Sequence, residues 1–316
     1  MPRRQFLSAC AAGAVGAVPF PLRRASSWRR EPAAPAAAPS LSVMLWTITP
    51  KQPFEQRITL VEDAGYHAVE LVNEYKGWSA AEFSDARRQL HQRGMLVDAC
   101  SGIDASLVDT SQRELLLRQI RAKVSVLAEL ECSRLILLSG NRVPGLSHEQ
   151  MHTNCLESVK RAAEITSPNN IEILLENIDP EENPQYFLTS VAEGFEIVRE
   201  LNDPQVRFLY DFFHEQISEG NLIAKLEKNL DVVGLVHVAD VPGRHAPGTG
   251  EINYANIFRK LGQRGYSQFI AMEFLPLGDP VSELRSAREF AEKYFAEGRH
   301  VAAHVPLQES TACLVS

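Results

Sequence analysis

Short apolar runs alternate with amphipathic segments along most of the chain. Eight runs of five to seven residues are typical of buried parallel strands, because they are continuously apolar and too short for helices. We predict strands at residues 41–47, 67–72, 96–101, 134–138, 171–176, 207–211, 232–238 and 268–274.

A segment of helical period follows each predicted strand. We predict helices at about 53–64, 79–93, 111–130, 147–166, 189–201, 219–230, 254–264 and 281–296. Ser79, Ser147 and Thr189 are the expected N-caps, because they stand immediately before apolar-periodic segments. Eight strand–helix units predict an α/β fold with a single (β/α)8 TIM barrel. A doubly wound sheet is the alternative, although no glycine-rich dinucleotide motif follows an early strand.

The N-terminal part of the chain differs from the rest in composition. Arg3 and Arg4 precede a small-residue apolar segment and a Pro/Ala/Arg-rich spacer, which together fill residues 1–40. This pattern predicts a twin-arginine (Tat-type) signal peptide, and the apolar segment is too short for a stable membrane anchor. We therefore expect a periplasmic or other extracytoplasmic protein, with a catalytic barrel over residues 41–296 and a tail over 297–316.

The charge of the chain argues against nucleic acid as a partner. Formal net charge is −8, and residues 1–39 contribute six Arg and one Glu. The remainder therefore has 26 basic and 39 acidic residues, a net of −13. Because the phosphate backbone repels such a surface, a DNA-repair role is disfavoured and a small-molecule substrate is expected.

The last four predicted strands each end at a residue that can bind a metal. These residues are Glu176, Asp211, His237 and Glu273. A single acid at a strand end is commonly a cap, but neighbouring strand ends of a barrel converge on one axis. Four together therefore predict one site. An oxygen-rich set with one imidazole favours Mn²⁺ or Mg²⁺, with Co²⁺ as an alternative, whereas Zn²⁺ would be expected with more His or Cys.

Four polar residues in the loops after the strands are candidates for substrate binding. His214 follows Asp211 closely, and Arg244 follows His237 in a loop rich in Gly and Pro. An Arg fork matches a carboxylate bidentately, which makes Arg244 the expected anchor of an acidic substrate. Glu182 and Asn141 are the other two candidates.

Several motifs resemble the hydroxypyruvate isomerase group of the xylose-isomerase-like TIM-barrel sugar isomerases and epimerases. They are YDFFHEQISEGNL at residues 210–222, HVADVPGRHAPGTGEINY at 237–254, AMEF at 271–274, LENIDPEENPQYFL at 175–188 and LLSGNRVPGLS at 137–147. The resemblance covers nearly the whole chain after residue 40. Members often pair, so the resemblance implies a homo-oligomer, although no sequence feature indicates one.

The resemblance implies roles for the candidate residues. It makes Glu176 and Glu273 the catalytic acid/base pair, and Glu176, Asp211, His237 and Glu273 the metal ligands. The chain departs from the bacterial hydroxypyruvate isomerases at His237, where those enzymes have Gln; His favours a metal-dependent member. The superfamily also includes apurinic endonucleases, which need extra His ligands and a basic face.

The expected reaction is interconversion of a small hydroxy-ketone and hydroxy-aldehyde, of the hydroxypyruvate and tartronate semialdehyde type. Proton transfer through an enediolate, between two glutamates, would carry it. The alternative enzyme is a ketose 3-epimerase or another sugar isomerase using the same site. A non-catalytic periplasmic sugar-binding protein is the alternative of another class, and an acid/base pair argues against it.

Overall fold

The fold is taken from a computed structural model, in which the described residues are 39–304. Eight parallel strands form a closed barrel in sequence order, and β1 pairs with β8 through Leu41 and Ile270. The strands are β1 Leu41–Met44, β2 Ala68–Leu71, β3 Leu96–Cys100, β4 Arg134–Leu138, β5 Glu172–Glu176, β6 Val206–Asp211, β7 Val233–Val238 and β8 Phe269–Met272. The predicted single (β/α)8 barrel is therefore confirmed, and the doubly wound alternative is wrong.

Helices surround the barrel and connect its strands. They are α1 Phe54–Asp63, α2 Ala80–Gln92, α3 Arg113–Glu129, α4 His148–Thr166, α5 Val191–Leu201, α6 Phe212–Ser218, α7 Leu222–Asn229, α8 Tyr254–Gln263 and α9 Pro280–His304. No helix within residues 39–304 is both long enough and apolar enough to cross a membrane. The predicted signal segment lies outside the described residues.

Side-chain hydrogen bonds fix where several helices begin. Ser79 and Ser147 both cap their helices in capping boxes, as predicted. Thr189 was predicted to cap α5 and does not; its neighbour Ser190 accepts from the backbone N–H of Ala192 instead. The difference is one residue, which the periodicity of the helix cannot resolve.

The helix predicted at residues 219–230 is α7, which is shorter at both ends, and a helix that was not predicted, α6, precedes it. Asp211 ends β6 and accepts from the backbone N–H of Phe213 at 2.7 Å, so α6 begins immediately after the strand. Gly220 and Asn221 then take positive φ angles of 67° and 56°, which break the helical path before α7.

The last helix is longer than predicted. It was expected over 281–296 but continues to His304 and packs closely along α8. The close approach needs Gly298, because a Cβ there would lie 2.0 Å from the carbonyl oxygen of Arg259. The predicted boundary between barrel and tail thus falls inside α9.

Two apolar clusters stabilise the barrel. The larger one lies between strands and helices. The smaller one consists of buried residues from six strands, which are Ala99, Ile136, Leu174, Leu209, Leu235 and Ala271. Alternate residues of a strand face opposite sides. Four of these six residues therefore share the inner side of the barrel with a predicted ligand that stands two positions later.

Candidate active site

The polar site lies at the carboxyl ends of the last four strands, directly above the inner apolar cluster. The two-residue period gives the pairs Leu174 and Glu176, Leu209 and Asp211, Leu235 and His237, and Ala271 and Glu273. Ligand atoms of the four polar residues all lie within 4.8 Å of one another, and all four residues are buried. The structure thus brings the four predicted ligands together.

His237 stands in the middle of this group. Its Nδ1 lies 2.9 Å from Oε2 of Glu273 and 3.5 Å from Oε1 of Glu176. Its Nε2 lies 3.0 Å from Oε2 of Glu70, a fully buried residue of β2. Glu70 therefore fixes the ring so that Nδ1 faces the three carboxylates.

Three buried atoms of the site lack hydrogen-bond partners among the described residues. They are Oδ2 of Asp211, Nδ1 of His237 and Oε2 of Glu273. The 2.9 Å contact between the last two lacks the angles of a hydrogen bond, so we count both atoms as unpaired. Leaving such atoms unpaired is costly, and a divalent cation would satisfy all three at once. The donor set therefore fits a metal ion.

The pKa values of His237, Glu176 and Glu273 reflect their burial and the charged groups close to them. Burial opposes a charged imidazole, but the carboxylates of Glu70 and Glu273 outweigh it and raise the pKa of His237 well above its usual value. Burial raises the pKa of Glu176, against the influence of His237. For Glu273 burial also acts to raise the pKa, but Arg244 and His237 outweigh it and lower the pKa to about 2.

Arg244 lies over the cluster and is itself buried. Its Nη1 is 3.0 Å from Oε1 of Glu273, and its Nη2 donates to Oε1 of Glu182 at 2.8 Å. The guanidinium also lies 4.2 Å from the centre of the Phe213 ring. The backbone of Arg244 adopts a positive φ of 56°, a strained conformation for a residue with a Cβ.

The loop that carries Arg244 is shaped by Asp240. The carboxylate of Asp240 accepts from the backbone N–H groups of Gly248 at 2.8 Å, Gly250 at 2.9 Å and Ile252 at 3.0 Å. These bonds hold the loop in one path and support the strained backbone of Arg244.

His214 lies on α6, not in a loop, and contacts the cluster. Its Nε2 is 3.4 Å from Oδ2 of Asp211 and 3.3 Å from Nη2 of Arg244. Its Nδ1 is 2.6 Å from Oδ2 of Asp179. The pKa of His214 is raised to about 9. Burial alone would lower it, but the charge of Asp211 and the hydrogen bond to Asp179 outweigh burial.

The other two predicted substrate-binding residues lie at the rim. The side chain of Glu182 is 45% exposed and reaches the site through its ion pair with Arg244. Asn141 is exposed, and its Oδ1 accepts from Asn183 at 2.8 Å. Asn141 also lines a groove that it shares with Ser106.

Three residues of the site were missed in the sequence. Glu70 lies in the apolar strand Ala68–Leu71. An acidic residue inside so short an apolar run was the feature of the sequence that could have identified it. Trp46 follows β1, and its indole N–H donates to Oε1 of Glu273 at 3.2 Å. Asp179, three residues after Glu176, gave no separate signal because its partner His214 is 35 residues away.

Comparison with known proteins gives a family match over most of the barrel. The family model described as "Xylose isomerase-like TIM barrel" matches residues 58–294. That range includes all four residues of the cluster, together with Arg244 and His214.

Individual relatives agree with the family match. The chain is 27% identical to 2-oxo-tetronate isomerase of Pectobacterium atrosepticum over 82% of its own length and 99% of that protein. It is 30% identical to hydroxypyruvate isomerase of Escherichia coli over 44% of its length and 54% of that protein. A solved structure described as an AP endonuclease, family 2, from Brucella melitensis superposes with a TM-score of 0.72 at 26% identity, covering 78% of this chain and 97% of the other.

Proposed function

The chain belongs to the xylose isomerase-like TIM-barrel family, and we propose that it is a metal-dependent isomerase of a small hydroxy-keto acid of the hydroxypyruvate type. Its curated relatives are isomerases, so the prediction of an enzyme of the isomerase or epimerase class is confirmed. The substrate, the metal and the mechanism are the parts that we propose.

The observation that carries the proposal is the position of Arg244. A buried guanidinium that contacts Glu273 and Glu182 stands directly over the candidate metal ligands. A substrate carboxylate can replace the exposed Glu182 as its partner, since the guanidinium fork binds carboxylates bidentately. The rest of a three- or four-carbon acid would then extend toward Glu176 and Glu273.

The two oxygens of Glu273 have different surroundings, which supports a role in both binding and proton transfer. Oε2 is unpaired and lies next to Nδ1 of His237. Oε1 is bonded by Trp46 and paired with Arg244. When the substrate carboxylate draws Arg244 away, Oε1 loses its main counter-charge and becomes free to accept a proton.

Proton transfer follows from the placement of the two glutamates. One glutamate removes the proton from the carbon that bears the hydroxyl, which gives an enediolate. The neighbouring carbon then receives a proton, and the hydroxyl proton passes to the other oxygen, so the atoms balance. Glu176, Asp211, His237 and Glu273 would hold the metal, which supplies Lewis-acid stabilisation of the negative charge. We expect Mn²⁺ or Mg²⁺ from this donor set.

A substrate panel tests the proposal. Purified protein loaded with Mn²⁺ or Mg²⁺ is incubated in deuterated water with hydroxypyruvate, a four-carbon 2-oxo acid, and several neutral ketoses, and proton exchange is followed by NMR. We expect exchange and isomerisation of the acids and their loss with EDTA. Exchange at C3 of neutral ketoses alone would favour the 3-epimerase instead, and tight binding without exchange of any substrate would favour a binding protein.

We further propose that the enzyme acts in the periplasm, after export by the twin-arginine route. The support is the pair Arg3 and Arg4 before the apolar segment. Replacement of both by Lys should retain the protein in the cytoplasmic fraction; unchanged periplasmic recovery would contradict the proposal.

A further inference from the structure

The indole of Trp46 donates a hydrogen bond to the glutamate that we expect to move a proton. Its Nε1 lies 3.2 Å from Oε1 of Glu273, the same oxygen that Nη1 of Arg244 contacts at 3.0 Å. We propose that Trp46 is a positioning residue, which keeps Glu273 in its reactive orientation after Arg244 has turned to the carboxylate of the substrate. The inference rests on the proposed function, because it concerns the same glutamate.

Trp46 and Arg244 are the two groups that contact Oε1 of Glu273 within the described part of the chain. The other oxygen, Oε2, has no hydrogen-bond partner among the same residues. When the substrate draws Arg244 away, the indole is therefore the remaining donor to this carboxylate. A metal ion on Oε2 would hold one end of the carboxylate, and Trp46 holds the other end.

An uncharged donor suits this role better than a charged one. A carboxylate oxygen has two lone pairs, so Oε1 can accept the indole N–H and still offer a lone pair to the proton. A hydrogen bond from a neutral group is roughly half as strong as one from a charged group. The indole of Trp46 therefore orients Glu273 but lowers its basicity less than the guanidinium of Arg244 does.

The backbone that carries Trp46 is fixed by a buried arginine. A single 3-10 turn directly after β1 contains Trp46. Arg57 of α1 donates to the carbonyl oxygen of Leu45 in this turn and, at 2.9 Å, to that of Ile48 just after it. Arg57 also forms a buried ion pair with Glu74 at 2.8 Å, which holds the guanidinium in place. The turn thus presents the half-buried indole at a defined position.

Nuclear magnetic resonance of the indole N–H groups tests the hydrogen bond without any assay of activity. The chain has three tryptophans, so Trp28→Phe and Trp78→Phe identify the Trp46 signal by elimination. In the protein loaded with Mg²⁺, Glu273→Gln should move the Trp46 proton signal upfield, because a neutral amide replaces the charged acceptor. Arg244→Ala should leave the signal downfield. A Trp46 signal that is unmoved in Glu273→Gln, or that moves upfield in Arg244→Ala, would overturn the proposal.

Steady-state kinetics of Trp46→Phe tests the positioning role. The variant keeps an aromatic ring and removes the N–H donor. With a substrate that the wild type turns over, kcat should fall by roughly 10- to 100-fold, the range between loss of one hydrogen bond and misplacement of a reacting group. KM should change little, because Arg244 still binds the substrate carboxylate. Trp78→Phe is the matched control, since Trp78 packs between the rings of Phe54 and Phe83, with centroids 5.1 Å and 5.3 Å away.

The substrate class separates this proposal from the proposed function. Trp46→Phe should lower kcat alike for acids and for any neutral ketose that is turned over, whereas Arg244→Ala should affect the acids far more. Wild-type kcat in folded Trp46→Phe would overturn the positioning role and leave the isomerase standing. If the wild type turns over no substrate, the proposed function fails, and the indole signal alone decides whether Trp46 holds Glu273.

Discussion

Nη1 of Arg244 lies 3.0 Å from Oε1 of Glu273, and both side chains are buried above the four candidate metal ligands. A guanidinium therefore neutralises the carboxylate that we expect to move a proton. It also lies where a carboxylate of the substrate would bind, so recognition of the substrate and release of the base are connected through one side chain.

Arg244→Ala should affect acidic substrates far more than neutral ones. A charge-assisted hydrogen bond contributes about 1.5–3 kcal/mol, so kcat/KM for the acid should fall by roughly 10- to 100-fold or more. For any neutral ketose that is turned over, kcat/KM should fall much less. Steady-state kinetics on both substrate classes measures the difference, and Arg199→Ala, which removes an exposed ion pair with Asp231, is the control. Equal losses for both classes would argue against carboxylate recognition by Arg244.

Asp179→Asn should change how the stability of the metal-free protein depends on pH. The pKa of His214 is raised to about 9 in the folded protein, so its stabilising contribution is complete below the unfolded pKa near 6.5 and is lost as pH rises through 9. The full contribution is on the order of 3 kcal/mol. Removing the Asp179 charge lowers this pKa, so the free energy of unfolding should decrease less steeply as pH rises toward 9.

Urea unfolding of the metal-free wild type and variant at pH 6.5 and pH 9 measures this effect. The NMR titration of the His214 ring should also move to lower pH in the variant. Identical pH slopes and an unmoved titration would show that Asp179 does not act on His214.

Glu70→Gln should weaken metal binding without removing a ligand. Glu70 holds Nε2 of His237 at 3.0 Å and thereby directs Nδ1 to the cluster. Loss of such a partner typically costs 10- to 100-fold in metal affinity, and titration with Mn²⁺ measures it. Asp98→Asn is a matched control, because Asp98 is a buried acid of β3 that is bonded by Ser42. An equal effect in both variants would point to general damage to the barrel.

The sequence predicted most of the fold, and the four residues that converge at the site, for a physical reason. Buried parallel strands are short and continuously apolar, so a polar residue at the end of each is conspicuous. Glu176, Asp211 and His237 each occur in or at the end of such a run, and Glu273 follows β8 directly. Convergence at the carboxyl ends of the strands then follows from barrel geometry alone.

The residues that contact these four could not be found in the same way. Glu70 faces His237 across the barrel from 167 positions away, and no local pattern connects them. Helix α6 was missed because Phe212 and Phe213 continue the apolar run of β6, and the capping by Asp211 is visible only in three dimensions. Contacts between side chains that are far apart in the sequence depend on how the strands and helices pack, which a local sequence pattern does not contain.

Deuterium exchange in Glu273→Gln is the most direct measurement of the central claim. The variant keeps the size of the side chain but removes the carboxylate that would move the proton. With metal and a substrate that the wild type turns over, deuterium uptake at the substrate carbon should fall by about 10²- to 10⁴-fold. Glu182→Gln, which changes the rim partner of the same Arg244, should retain most of the exchange. Undiminished uptake in folded, metal-loaded Glu273→Gln would contradict the account.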